Sequence, residues 1–130
     1  MKSFVVGCVC AVLLVATGAS AHHSAAGIDQ TKTVTVVGLV KEFKWANPHS
    51  WIDLDVTNEQ GQTKVWSIEM TAPAYLARAG WKSTTIKPGD KVTVSVRPFR
   101  NGDPGGLFVN ITLPDGRVLG QAAAAPRASQ

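Results

Sequence analysis

Residues 33–45, Thr-Val-Thr-Val-Val-Gly-Leu-Val-Lys-Glu-Phe-Lys-Trp, are dense in β-branched and aromatic side chains. Val34, Val36 and Val40 alternate on one face, which is the two-residue period of a half-buried strand. The apolar set then moves to Phe43 and Trp45, a phase change of one residue, and Gly38 stands mid-strand where a side chain is expected. A bulge or sharp coil accounts for both, so this stretch predicts a long, strongly coiled first strand.

The rest of the chain fits around it. Ala46-Asn47-Pro48-His49 breaks the alternation, since Pro48 cannot donate to a ladder and Asn47 favours turns. Ile52, Leu54 and Val56 then face away from Trp51, Asp53 and Asp55, giving a second strand. After a polar hairpin loop, Asn58 to Gln62, a third strand sets Trp66, Ile68 and Met70 against Val65, Ser67 and Glu69. A short helix is predicted over Ala72 to Ala79, with Thr71 as cap, Pro73 in the first turn, Tyr75, Leu76 and Ala79 on one face, and Gly80 ending it. Val92, Val94 and Val96 mark a fourth strand after the Pro88-Gly89-Asp90 turn. Asn101 to Gly106 reads as a flexible turn. Leu107, Val109, Ile111 and Leu113 give a fifth strand that stops at Pro114-Asp115-Gly116.

Three strands, a short helix and two strands is the order of a five-stranded OB-fold-like barrel, all-β with one short helix; a small β-sandwich is the alternative. The predicted division is a signal peptide over 1–21, an N-terminal leader over 22–32, the barrel domain over 33–119 and a disordered Ala-rich tail over 120–130. The signal rests on Lys2, the apolar run from Phe4 to Ala16 and the small residues Ala19-Ser20-Ala21, a run too short to span a bilayer. Cleavage is expected between Ala21 and His22, which places the protein in the periplasm or outside the cell with no transmembrane segment in the mature chain. Val5-Val6-Gly7-Cys8 loosely resembles a lipoprotein site, but the apolar run continues past it and lipidation is not expected. Both cysteines, Cys8 and Cys10, fall in the removed segment, so the mature chain must fold on an ordinary core without a disulfide.

The formal charge of +4 falls to +3 when Lys2 is removed. Lys and Arg are interspersed with Asp and Glu, so no basic stripe marks a nucleic-acid footprint, and no nucleic-acid partner is expected. There is neither a Gly-rich phosphate loop nor a nucleophile elbow. Asp53 and Asp55 share one strand face and Glu69 shares another with Ser67, so paired carboxylates for acid–base chemistry are conceivable, but alternating outward positions are expected to be solvated. Of Trp45, Trp51, Trp66 and Trp81, Trp66 is assigned to the core and Trp51 is left as a candidate ligand-face residue together with Asn47 and Glu69.

All three histidines of the chain occupy two short stretches: His22 and His23 at the expected new N-terminus, and His49 in the first loop. A terminal His offers its α-amine and a ring nitrogen to one ion, and the amine loses its proton near pH 8, so chelation costs little. Such nitrogen-rich sets bind copper most strongly, with zinc and nickel behind. The plainer reading leaves His22 and His23 solvated and has His49 bond backbone groups and shape its turn.

His22-His23-Ser24, Asn47-Pro48-His49, Trp66 with Glu69, Arg78-Ala79-Gly80-Trp81, Pro88-Gly89-Asp90 and Leu113-Pro114-Asp115-Gly116 together resemble a family of small exported proteobacterial proteins catalogued as domain of unknown function 6152. Ile28-Asp29 departs from that pattern, where an aromatic is expected before the Asp. The resemblance implies that the double His and the Asn-Pro-His stretch belong to the family pattern, and it implies no activity, substrate or cofactor. The preferred expectation is therefore a periplasmic metal-binding protein, copper first, held by His22, His23 and His49. A metal-free module binding a protein, peptide or glycan is second. A copper-dependent oxidase, resembling the lytic polysaccharide monooxygenases in starting with a chelating His, is third, since so small a chain shows no set of supporting groups for turnover.

Overall fold

The computed structural model describes residues 25–121. Six strands and one helix follow in order: β1 (Val34–Lys44), β2 (Trp51–Thr57), β3 (Thr63–Glu69), α1 (Pro73–Arg78), β4 (Lys91–Pro98), β5 (Gly105–Thr112) and β6 (Val118–Gly120). The sheet order is β3-β2-β1-β4-β5-β6, and a parallel pairing of β3 with β5 closes the first five strands into a barrel. This is the OB-fold arrangement anticipated from the strand order.

The phase change in β1 is a bulge: Val40 pairs with Leu54 and Glu42 with Asp53, leaving Lys41 as the extra residue. Gly38 lies where β1 turns hard across β2, and a Cβ there would meet the Asp55 carbonyl oxygen at 2.8 Å. The coil and the missing side chain have one cause, the close approach of two backbones.

A second bulge corrects the reading of β5. Ser95 pairs with Asn110 but Val96 with Phe108, so Val109 is the extra residue. Ile111 and Leu113 face the core as expected, but ahead of the bulge the phase inverts: Phe108 is buried, while Leu107 and Val109 are half-exposed. Gly105 and Gly106, read as part of a flexible turn, belong to β5 and form the parallel ladder with Ser67 and Ile68.

The core joins Ile52, Leu54, Ile68, Met70, Val92, Val94, Val96 and Ile111 from the barrel to Leu76 and Trp81 from the helical segment. Ala72, not Thr71, caps α1, and without a side-chain hydrogen bond; the Thr71 backbone is engaged elsewhere. Leu76 is buried but Tyr75 is exposed, with the Arg78 guanidinium 5.6 Å from its ring centre. Gly80 N–H donates to Ala77 and Trp81 N–H to Leu76, a Schellman ending whose usual apolar contact is here between Leu76 and Trp81. Trp81 goes on into the core, edge-on to Phe108 and tilted against Phe43. Its indole N–H donates to Gly120 O at 2.8 Å.

That bond fixes β6, which sequence alone did not separate from its surroundings. The Gln121 side chain adds a second tie, accepting from Thr71 N–H at 2.7 Å.

Candidate functional site

The first loop is tied to the end of β3. Ser50 N–H donates to Thr71 O, Met70 N–H donates to Ser50 O at 2.8 Å, and the buried Ser50 hydroxyl bonds back to Ala46. His49, one residue before Ser50, is thereby held over β3. Its Nδ1 lies 3.0 Å from Met70 O and 3.2 Å from Glu69 Oε1. A carbonyl oxygen only accepts, so Nδ1 carries a proton toward Met70 O, and whenever the ring is neutral Nε2 is the nitrogen with the free lone pair. The side chain of His49 is 48% exposed, that of Glu69 only 7%. The expectation of a solvated Glu69 is therefore corrected: the neighbouring strands and the ring of His49 cover it.

Trp51 stands opposite Glu69 across the β2–β3 ladder, and Leu107 flanks Glu69 from β5. Two pairs along, Asp53 faces Ser67 and accepts from its hydroxyl at 2.8 Å, while Lys44 Nζ donates to the other Asp53 oxygen at 3.0 Å. That hydrogen bond, then the charge of Asp53, holds the Lys44 ammonium above its ordinary value, with Glu42 adding less. Trp51, Asp53, Ser67 and Glu69 thus form one outer surface beneath His49. Asn47, joined to Pro48 by a cis peptide, is exposed beside it, and its side chain makes no hydrogen bond among the described residues. Among the other tryptophans, Trp45 and Trp66 pack half-buried against the core and Trp81 is within it.

His22 and His23 lie outside the described residues, as does the expected signal peptide. The leader is described from Ala25. It does not turn back along the barrel toward the first loop; it continues the line of β1 beside the segment after β4. Ile28 bridges Phe99, Arg100 N–H donates to Gly27 O, and Asp29 N–H donates to Pro98 O. Phe99 N–H in turn reaches Gly105 O, at the start of β5 and next to Ser67. Phe99 and Gly105 thus stand between the leader and Ser67. From Gly27 back to His22 the chain spans at most about 17 Å.

Among the described residues no group of three or more His, Cys, Asp or Glu side chains is placed to hold a metal ion. No helix among them is long and apolar enough to cross a membrane. What the described part offers a metal is a single oriented imidazole.

The sequence of residues 10–109 matches the model of a family of unknown function, DUF6152. The chain belongs to this family. The matched range takes in the His pair, the Asn-Pro-His loop and Glu69, and ends before Leu113–Gly116. DUF6152 membership brings no activity with it, and none of the curated proteins matches the chain. A solved structure of similar outline is the mitochondrial single-stranded DNA binding protein Rim1 of S. cerevisiae, 16% identical, covering 64% of this DUF6152 chain and 94% of its own, with a TM-score of 0.48.

Proposed function

We propose that the protein binds a metal ion in the periplasm, copper first, through the mature amino terminus with His22 and His23, and through Nε2 of His49. The observation that carries the reading is the tethering of His49 Nδ1 to Met70 O and Glu69 Oε1. A metal-bound histidine usually donates its second ring N–H to a carbonyl or carboxylate, which sets the tautomer and aims the free nitrogen. His49 already has both kinds of partner. One imidazole does not make a copper site, and on this reading the further nitrogen donors come from the leader, where His22 precedes Gly27 by a chain length of at most about 17 Å.

The test is a Cu(II) titration of protein beginning at His22, by calorimetry or competition with a chelator. His49→Ala is expected to weaken binding at least about tenfold, roughly 1.4 kcal/mol. Residues retained ahead of His22 are expected to abolish the tight phase. Unchanged affinity in His49→Ala would leave the ion on the terminus alone and return the Asn-Pro-His loop to a shaping role.

A second reading, a metal-free interaction module, is favoured by the outer surface itself. Trp51, half-buried on this surface beside the Asp53–Lys44 pair, suits a partner that stacks on an indole and shares hydrogen bonds at its edge. On this reading the protein loses a protein or glycan partner in Trp51→Ala and keeps it when the terminus is blocked.

A further inference from the structure

Further along the same outer face of the sheet, β1 presents Val37 and Leu39 to solvent, each about half exposed (49% and 48%). They border a shallow groove of about 390 Å³ beside Gly38, which has no side chain to fill it, with Asp55 and Thr57 on one side and Lys91 on the other. Two exposed aliphatic side chains on a strand are ordinary. The charges beside them are not. Leu39 pairs with Asp55 on β2 and with Lys91 on β4, so the row across the sheet reads Lys91, Leu39, Asp55, Val65, with Val65 also exposed. Neither Asp55 nor Lys91 makes an ion pair or a side-chain hydrogen bond among the described residues, although every other aspartate among them does.

We infer that this face of β1 is a self-association surface, occupied by a second copy of the chain. A two-fold axis lying in the contact plane and parallel to β1 sets Leu39 on Leu39 and Val37 on Val37. It also carries each Lys91 over the partner's Asp55, so both unpaired charges are matched twice. An in-plane axis perpendicular to β1 would stack like charges, so the charge order selects one of the two arrangements. Such a contact is isologous and closes at two copies. The coiling of β1 limits contact to the strand's ridge. The area is therefore well below the about 800 Å² per partner of a standard interface, and the dimer is weak and concentration-dependent.

Sedimentation equilibrium on protein with its native N-terminus, from about 10 µM to about 1 mM, tests this. The expected result is a reversible monomer–dimer equilibrium that Leu39→Lys abolishes. Asp55→Lys and Lys91→Asp are each expected to weaken it at least about tenfold, and the double exchange to restore it. Far-UV circular dichroism checks that the outward-facing changes leave the barrel intact. A monomer throughout the range, a dimer that survives Leu39→Lys, or a double exchange no better than the single ones would each overturn the inference. None of these measurements involves metal, so they stand apart from the copper titration.

Discussion

Among single residues, His49 and Gly38 show how a backbone decides what a side chain does. The Met70 carbonyl dictates the tautomer of His49, so nitrogen-detected NMR of the neutral ring should find the proton on Nδ1; a proton on Nε2 would remove the basis for a metal-facing nitrogen. Gly38→Ala would drive a methyl against the Asp55 carbonyl oxygen, a backbone atom that cannot step aside without opening β1 from β2. We expect a loss of about 1–3 kcal/mol in urea denaturation. The need for glycine at 38 was legible, since an unfilled position beside a phase change signals a bulge or close approach. The burial of Glu69 was not. Its alternating position is that of a solvated residue, and its cover comes from Leu107 and His49, one distant in sequence and the other placed by Ser50 and its bonds to Met70 and Thr71.

Among the elements, the two bulges make an instructive pair. In β1 the apolar residues themselves change phase, so the sequence displays the extra residue. In β5, Leu107, Val109, Ile111 and Leu113 keep an unbroken alternation that hides it, and the bulge at Val109 is imposed by the two neighbours β5 must pair with at once. β6 was equally hidden, being three residues held by a tryptophan N–H from far along the chain. Trp81→Phe, which strands the Gly120 carbonyl, is expected to cost about 1–2 kcal/mol by urea denaturation. A chain ended at Arg117 should be less stable than one ended at Gln121 and should show red-shifted tryptophan emission. The turns carry a pH dependence. Asp29 is held below the ordinary carboxylate range mainly by the Thr31 hydroxyl, Asp90 by the Lys87 N–H, and Asp115 by the Arg117 N–H. A carboxyl depressed in the fold contributes stability that is complete above its unfolded value and is lost as pH falls through the folded one. The melting temperature should therefore drop below about pH 4. In Asp90→Asn the drop should be smaller, and an equal drop would mean that Asp90 contributes nothing to it.

For the molecule as a whole, strand order was enough to name the barrel, because consecutive β-strands and a single helix leave few ways to close a sheet. The closing ladder left no local trace, since parallel pairing of β3 with β5 joins segments nearly forty residues apart through Gly105 and Gly106. The interspersed charges lead to an expectation for the whole surface: a fluorescent oligo-dT should show no saturable anisotropy change at physiological salt, and tight binding there would overturn the expectation of no nucleic-acid partner. The seam itself has a consequence in time. At both glycines a Cβ would run into backbone, that of Ser67 at Gly105 and that of Arg97 at Gly106, so β5 fits between β3 and β4 only because neither residue carries a side chain. A chain emerging amino end first from a ribosome or a pore has no closed state to adopt until Gly105 and the rest of β5 are free. Until then the facing edges of β3 and β4 stay open, and anything that shields them must stay until Thr112 has emerged.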